Sequence, residues 1–299
     1  MKRTLTLALP FLLLAAPSCK KDKNKDEPKI VFKLVFDPAQ ERLNNFGLPA
    51  TIPAGNAAQT PSFNSLSVHY VELTPQALTA LGAGEVLYKA DEVNINGENA
   101  IDFAKSNPVG NNQEFFSMNL KDVKPGTYEW LRVSLAYQNY DIDYRIVNPL
   151  NTSETLDLKG TIASFIGYNT YITTYKIKNE TQTINAAKKQ GYWGFETNVM
   201  GFSYTTSGQA PAGATTVVNP LFATSPIPAG SCVVTASFDQ PLVITGDEKK
   251  DIVVTVKLST NQSFEWNDTN SPDGIFQPDK GDVPVDMGIR GMKTSWKAE

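Results

Sequence analysis

The 299-residue sequence contains a single histidine, two cysteines and five methionines, so several common chemistries are ruled out at once. A catalytic zinc site usually takes two or three His ligands, and a Ser-His-Asp triad would have to use His69. Only 19% of the residues are charged, and no Lys/Arg cluster lies within the globular part. We therefore expect no nucleic-acid partner.

The sequence also lacks any segment that keeps a helical period over three or more turns. Aromatic residues make up 10% of the chain, and Thr, Asn and Gly are frequent. This composition is typical of a β-rich protein that works outside the cytoplasm. The length allows one large domain or two ordinary ones, and either can bury a core without disulfides.

The N-terminus has the pattern of an export signal. Two basic residues precede an apolar segment, 4–16, that is too short to span a bilayer. Cys19 then follows small residues in a stretch that resembles a bacterial lipobox, although Pro17 and Ser18 depart from its commonest form. The sequence predicts a signal peptide over 1–18 and a lipoprotein acylated at Cys19, with palmitate as a typical chain. An ordinary signal peptide followed by a chance cysteine is the alternative.

Residues 19–29 are predicted to form a disordered tether, because they hold five Lys and three acids and nothing that could be buried. The tether resembles the surface-export signal of Bacteroidota lipoproteins, and a plain solvated linker is the alternative. Beyond the tether, 20 basic and 28 acidic side chains give a net charge of −8. An acidic body does not adhere to anionic membranes, so we expect the lipid alone to attach it to the outer membrane.

Short runs of alternating apolar and polar residues predict β-strands along the rest of the chain. The clearest run covers 128–137. Further strands are predicted at 30–36, 65–73, 161–166, 171–178, 191–196, 232–238, 242–245 and 252–258. One or two helical turns are expected after Asp37 and at 75–81, and long loops at 47–61 and 205–231.

This pattern predicts an all-β fold, an antiparallel β-sandwich of Ig-like or jelly-roll type with long loops and one or two short helices. Alternation, rather than continuous apolar runs, indicates sheets with one solvated face. We expect one β-sandwich domain over 30–299, and a subdivision near 150–160 is left open. No repeat of fixed period is present, which argues against propellers and solenoids.

Two isolated reactive residues are interpreted as structural. Cys232 lies on the apolar face of its strand, and no His or positive neighbourhood that would activate a thiol is nearby. We therefore expect Cys232 to be a small core residue. His69 lies on the face opposite Leu66, Val68 and Tyr70, so we expect a solvated or edge position and not a catalytic one.

Three features resemble the methanobactin-binding-protein-like (MbnP-like) periplasmic β-sandwiches: the first strand, the strand 63–73, and a Pro-Gly-Thr-Tyr turn that begins at Pro125. The resemblance covers about residues 30–137 and implies the fold more than the activity. That family is associated with copper handling, for which this chain has no evident set of soft ligands. The motifs at 191–196 and 286–291 resemble uncharacterised Bacteroidota lipoproteins.

The segment 265–282 is rich in Asp, Asn, Gly and Pro. Calcium takes six to eight oxygen ligands, and part of the segment approximates D-x-[DN]-x-[DN]-G with one residue too many. The candidate calcium ligands are Asp268, Asn270, Asp273, Asp279 and Asp282. The alternative is a turn-rich loop that needs these residue types for backbone reasons alone.

Two further patterns could bind a ligand. The residues Asn139, Asp141, Asp143 and Arg145 share one face of a predicted strand, where carboxylates could bind a cation or a sugar hydroxyl. We favour a solvated face on which Arg145 offsets Asp143. The aromatic residues Trp130, Trp193, Trp266, Trp296, Tyr137, Tyr140, Tyr144 and Tyr192 could form a sugar-stacking platform. Core positions are favoured for most of them.

Together these patterns predict a lipid-anchored protein of the outer membrane, exposed at the cell surface, with a binding or structural role. No catalytic constellation is recognised, so we do not expect an enzyme. The alternative is a cell-surface carbohydrate-binding or glycan-processing component. The expected partners are the outer membrane, through the anchor, and a glycan or a protein, while the ligand itself stays unknown.

Overall fold

The computed structural model describes residues 27–210, 223, 229–270 and 272–299. These residues form eighteen strands and three single 3-10 turns, and no α-helix occurs among them. The strands are β1 (Lys29–Asp37), β2 (Asn56–Gln59), β3 (Ser62–Thr74), β4 (Glu85–Lys89), β5 (Glu92–Ile95), β6 (Glu98–Asp102), β7 (Gln113–Asn119), β8 (Gly126–Val147), β9 (Thr155–Phe165), β10 (Asn169–Lys176), β11 (Thr181–Lys189), β12 (Tyr192–Val199), β13 (Phe202–Gln209), β14 (Cys232–Ile244), β15 (Ile252–Ser259), β16 (Phe264–Asn267), β17 (Val283–Asp286) and β18 (Met292–Ala298). The 3-10 turns are Phe103–Lys105, Leu120–Asp122 and Pro278–Lys280.

The strands form three sheets. In the eleven-stranded sheet the order is β13-β12-β9-β8-β14-β18-β15-β1-β7, while β3 pairs with β8 and carries β4. The second sheet has the order β11-β10-β6-β5 and the third β17-β16-β2. Most pairs are antiparallel, and β1–β15, β14–β18 and β6–β10 are parallel. The sheets pack as sandwich-like layers, which confirms the predicted all-β fold.

Strand β8 is 22 residues long and joins the two halves of the large sheet. Along one edge, β14 pairs with its first half and β9 with its second half, and β3 occupies the opposite edge. The partner changes at Ala136, whose carbonyl oxygen accepts the N–H groups of both Ile166 and Gly167. The predicted strand 128–137 is therefore confirmed as the first half of a longer strand.

Four apolar clusters form the core of the described residues, and three of them are large. The largest lies among β1, β3, β14, β15 and the first half of β8, and includes Phe32, Leu131 and Val254. The second half of β8 is covered on both faces, because alternate side chains of a strand point to opposite sides. Ile142 packs in a cluster with residues of β16, whereas Tyr137 packs in a cluster with residues of β10. Each fully buried Val, Leu, Ile or Phe side chain stabilises the fold by about 1.5–3 kcal/mol.

The strand connections give the molecule two distinct ends. Lys29, at the start of β1, pairs with Asn119, and only residues 120–125 separate Asn119 from Gly126 at the start of β8. The strands β1 and β8 therefore begin at the same end of the fold. Because a strand rises about 3.3 Å per residue, residues 143–147 lie roughly 55–70 Å further along the extended chain of β8. The far end of β8 is thus remote from the point where the tether enters.

Of the two cysteines, Cys19 lies outside the described residues and Cys232 lies within them. The predicted signal peptide and residues 20–26 of the tether also lie outside the described residues. Within the described part, no helix is long and apolar enough to cross a membrane. Cys232 is fully buried on β14, and burial raises the pKa of its thiol to about 12. This placement confirms the interpretation of Cys232 as a core residue, since the reactive thiolate is suppressed.

The predicted helical turns are wrong in position. The carboxylate of Asp37 accepts the N–H groups of Ala39 (2.8 Å) and Gln40 (3.1 Å), as expected of a cap, but the chain makes only a turn there. Residues 75–81 also form turns. In neither place does an amphipathic stripe follow that would stabilise a longer helix.

Both predicted loops contain strand. The loop 47–61 includes β2, and β13 occupies 202–209, which overlaps the predicted loop 205–231. The positions 211–222 and 224–228 of that loop lie outside the described residues. Neither strand has a fully buried residue, so neither is predicted by the burial of an apolar face. They form because their backbones pair with β16 and β12.

One ion pair is completely enclosed beside the large sheet. Glu72 on β3 and Arg132 on β8 are neighbours in register, both side chains are 0% exposed, and Arg132 Nη1 lies 3.5 Å from Glu72 Oε2. Glu72 Oε1 also accepts the N–H of Gly84 at 2.7 Å, and Arg132 Nη2 donates to the carbonyl oxygen of Ala77 at 2.8 Å. These bonds hold the loop between β3 and β4 on the sheet.

Removing one partner of this buried pair is expected to destabilise the fold strongly. In Glu72→Ala, Arg132 would stay buried without a counter-charge, which should lower the free energy of unfolding by about 3–5 kcal/mol. Urea denaturation followed by tryptophan fluorescence measures this. Glu98→Ala removes the partner of Lys189 in an exposed pair and should leave the midpoint unchanged. A loss below about 1 kcal/mol in Glu72→Ala would contradict the assigned role.

Candidate functional site

At the far end of β8, beyond its pairing with β3, the backbone groups of one edge are hydrogen-bonded by the side chain of Gln59 and by the loop that contains Phe276. The pairing with β3 ends at Asp141. The side chain of Gln59 then binds both backbone groups of Asp143: its Oε1 accepts the N–H at 2.8 Å, and its Nε2 donates to the carbonyl at 2.7 Å. The N–H of Arg145 donates to the carbonyl oxygen of Phe276 at 2.9 Å. The loop 272–282 thereby lies against this edge.

A groove of about 520 Å³ runs along this closed edge. Its charged lining residues are Asp143, Arg145, Asp157 and Lys159, and its aromatic ones are Tyr144, Trp266 and Phe276. The charged residues come from β8 and β9, and the aromatic ones from β8, β16 and the adjoining loop. The volume is that of a site for a small molecule or for part of a larger one. This groove is the candidate functional site.

The four charges of the groove form two pairs across β8 and β9. Lys159 Nζ lies 2.6 Å from Asp143 Oδ1, and Arg145 Nε lies 2.6 Å from Asp157 Oδ1. The interpretation that Arg145 offsets Asp143 is therefore wrong. Both pairs join residues directly opposite each other in the register, which are closer than residues two apart on one strand.

The ionised state of Asp157 argues against a role for this residue as a general acid. The Arg145 guanidinium holds the pKa of Asp157 below its ordinary value, so this 72% exposed carboxyl is ionised at neutral pH and is not a general acid. Exposed ion pairs contribute little to stability. A ligand with hydroxyl or charged groups can therefore exchange with them at small cost, while its apolar parts contact the aromatic lining.

The other two residues of the predicted strand face lie outside the groove. Asn139 is buried, and its Nδ2 donates to the carbonyl oxygen of Ile177 at 2.8 Å. Asp141 accepts the hydroxyl hydrogen of Thr161, and its carboxylate lies 3.5 Å from Lys178 Nζ. The predicted face is therefore divided between two residues that hold neighbouring strands and two, Asp143 and Arg145, that line the groove.

The predicted calcium ligands lie in one folded loop, and each of them has a protein partner. The pairs are Asp268 Oδ2 with Gly274 N (2.9 Å), Asp273 Oδ1 with Ile275 N (3.0 Å), Asp279 Oδ2 with Val147 N (2.6 Å), Asp282 Oδ2 with Gln277 N (2.7 Å), and Asn270 Nδ2 with Gly281 O (3.4 Å). Such bonds are typical of the turn-rich alternative. Within the described residues, no group of three or more His, Cys, Asp or Glu side chains could hold a metal ion. Calcium binding stays a prediction.

The aromatic residues are distributed over separate clusters and do not form one platform. Trp266 is 1% exposed and packs with Phe264 and Phe276, and the four tyrosines of the predicted set are buried as well. Trp130, Trp193 and Trp296 are half-buried. Core positions are thus confirmed for most of the set. Of the eight, only Tyr144 and Trp266 line the groove.

Sequence reasoning did not single out four residues of the site, which are Gln59, Asp157, Lys159 and Phe276. Asp157 and Lys159 lie in β9 ahead of its predicted start at 161. Their alternation with Leu156 and Leu158 is a usable signal, because it continues the strand and places both charges on one face. Gln59 lies on an edge strand without alternation, and no local pattern shows that its amide reaches β8.

Comparison with known proteins identifies no relative: no family model, no curated protein and no solved structure matches this chain. The resemblance of residues 30–137 to the MbnP-like sandwiches therefore stays a prediction. Any inference of function for the groove depends on its own geometry and on the signals in the sequence.

A second polar cluster, away from the groove, corrects the expectation for His69. The imidazole is 1% exposed, and its Nε2 lies 3.0 Å from Glu92 Oε1. Lys89 Nζ lies 3.2 Å from the other oxygen of Glu92, and the ring of Tyr168 packs 5.7 Å from His69. The solvated position is wrong because residues of β5 and of the segment after β9 cover this face of β3. The pair ties the four-stranded sheet to the large one.

This pair predicts a defined dependence of stability on pH. The hydrogen bond from His69, with that from Lys89, lowers the pKa of Glu92 from 4.5 to about 2. The stabilisation is therefore fully present above pH 4.5 and is lost as the pH falls toward 2. Glu92→Gln should melt at a lower temperature than the wild type at pH 6, and the difference should shrink toward pH 2. Thermal melts across this range test it, and a difference that stays constant would contradict it.

Proposed function

We propose that this chain is a lipid-anchored protein of the outer membrane that binds a ligand in the groove between Asp143 and Phe276. The proposal joins the export signal and Cys19 of the sequence to the groove of the fold. The observation that carries it is the position of the groove at the end of β8 that is remote from Lys29, where the tether enters. A site in that position is turned away from the anchor and toward the surroundings of the membrane.

The groove favours a ligand with several polar groups and at least one apolar face. Its rim offers two cations and two carboxylates on adjacent strands, and its lining includes Tyr144 and Phe276. Both carboxylates of the rim form ion pairs, which supports a binding role over hydrolysis. Acid catalysis needs a carboxyl that keeps its proton near neutral pH, and Asp157 has the opposite shift.

A glycan is the specific ligand class that we infer. Sugar rings present hydroxyl groups along their edges and C–H groups on their faces, which match exposed charged side chains beside aromatic rings. A protein partner is the second candidate. The exposed apolar residues Phe202 and Tyr204 on β13 favour it, because β13 is an edge strand of the large sheet among the described residues.

The anchor has a direct test. Cys19→Ser should move the protein from the detergent fraction to the soluble fraction and abolish labelling by a radiolabelled fatty acid, because the acylated sulfur is absent. Cys232→Ser is the matched control for the loss of a thiol and should still be labelled. Partitioning of Cys19→Ser that equals that of the wild type would show that the lipobox interpretation is wrong.

The groove is tested with the soluble Cys19→Ser protein on immobilised glycans. We expect binding to a subset of glycans, and the double variant Asp143→Ala/Asp157→Ala should weaken it by about tenfold or more, since charged groups make strong hydrogen bonds. The melting temperature should not change, because both carboxylates are exposed.

Glu98→Ala, which disrupts another exposed ion pair on a different sheet, is the control and should bind as the parent does. Failure to bind any glycan would remove the glycan candidate. Glycan binding that the double variant leaves intact would show that the groove is not the site.

A further inference from the structure

A second cavity of about 280 Å³ lies on the other side of the aromatic residues that line the groove. It is enclosed between the second half of β8, with β9 and β12, and the segment from β16 to β17. Tyr144 and Phe276 line both the cavity and the groove. Exposed residues of the lining, Thr206 on β13 and Pro278, mark its mouth. A ligand could therefore enter it without passing through the groove.

The walls of this cavity are apolar and rich in aromatic rings. They include Trp193, Phe195, Phe264 and Phe276, together with Ile142 and Met287. Two glycines make room for the first two rings. A Cβ atom on Gly160 would lie 2.1 Å from the ring of Phe195, and one on Gly208 would lie 2.6 Å from the indole of Trp193. Neither clash could be relieved without moving an aromatic wall.

Asp282 is the only ionisable carboxyl among the lining residues. It is 4% exposed, and its Oδ2 accepts the N–H of Gln277 at 2.7 Å. Its other oxygen, Oδ1, is buried and has no hydrogen-bond partner among the described residues. No Lys, Arg or His in the described part of the chain forms a salt bridge with it. Burying a carboxylate in this way is costly unless a positive group compensates it.

The surroundings of Asp282 make the need for a positive charge greater. Burial raises the pKa of its carboxyl, and the negative charges of Asp268, Asp273 and Asp279 raise it further, against the backbone hydrogen bond that lowers it. Asp268 is 7% exposed and also has a buried oxygen without a partner. The region therefore has a negative potential that any cation in the cavity would reduce.

We propose that this cavity binds a small organic ammonium ion with an alkyl or arylalkyl body. The ammonium N–H donates to Asp282 Oδ1, the positive charge is attracted to the faces of the aromatic walls, and the apolar body fills the space between them. A bare metal ion fits less well, because the cavity walls offer carbon where calcium needs six or more oxygens. A neutral apolar molecule would leave the carboxylate without compensation. The proposal does not depend on what the groove binds.

The test compares benzylamine with benzyl alcohol, which has nearly the same shape but no positive charge at pH 7. Isothermal titration of the Cys19→Ser protein should show that benzylamine binds about tenfold or more tightly than the alcohol, the effect of a hydrogen bond to a charged group. Asp282→Asn keeps an acceptor for Gln277 N–H and should abolish this preference while leaving the binding of benzyl alcohol unchanged.

A second pair of variants tests the location. Thr206→Phe should narrow the mouth and weaken the binding of both compounds. Thr205→Phe is the matched control, because adjacent residues of a strand point to opposite faces and both positions are exposed. Thermal melts of each variant without ligand show that it is folded, and the Thr206 pair keeps the test decisive where Asp282→Asn does not fold.

Three outcomes would overturn the proposal. Equal binding of the amine and the alcohol would show that the cavity selects apolar shape alone. If neither benzylamine nor benzyl alcohol binds, the cavity is not a site for ammonium ions or for apolar molecules of this size. Stabilisation by calcium chloride that depends on Asp282, in a protein that does not bind benzylamine, would assign the carboxylate to a metal ion.

Discussion

The backbone of β8 has to be hydrogen-bonded along all 22 residues, and the rest of the structure depends on how this is achieved. A strand this long, buried for most of its length, cannot leave N–H and C=O groups without partners. Along one edge of β8, β14 pairs with the first half and β9 pairs with the second half. Along the opposite edge, β3 pairs with β8 as far as Asp141. The two halves of the large sheet are therefore held together by one continuous strand.

Where β3 ends, the same requirement builds the candidate site. The amide of Gln59 takes the place of a strand for Asp143, and the carbonyl of Phe276 and the carboxylate of Asp279 accept the next two N–H groups. An acid-rich loop is thereby fixed against the edge of a sheet. The polar groove lies on one side of Phe276 and the apolar cavity on the other.

The use of acidic residues in the loop explains why its sequence resembles a cation-binding motif. Four of its carboxylates accept backbone N–H groups, one of them from β8 itself, and this role selects Asp at the same positions that a calcium site would. The oxygens left over at Asp268 and Asp282 are what distinguish this loop from an ordinary set of turns. They place uncompensated negative charge beside aromatic walls.

Sequence patterns predicted many of the strands that bury one face, but missed β6, β7, β16 and β18, which also bury residues. The alternation at 252–258 gave a strand close to the observed bounds, and that at 128–137 gave the first half of β8, since period two is a local property. The edge strand β2 and the part of β13 from residue 205 onward bury no apolar face and were predicted as loop. His69 was placed on a solvated face because nothing near it in sequence shows that Glu92 and Tyr168 cover that face.

The sequence alone determined the class of fold, the core position of Cys232 and the lack of sites that need several histidines. Each of these depends on composition or on the order of neighbouring residues. Only the tertiary structure decided three other features. These are the pairing of Arg145 with Asp157, the hydrogen bonds of Gln59 to β8, and the position of Asp282 at an apolar wall. Each of these depends on the register between segments that are distant in the chain. Register is set by the joint packing of whole sheets, which no local pattern contains.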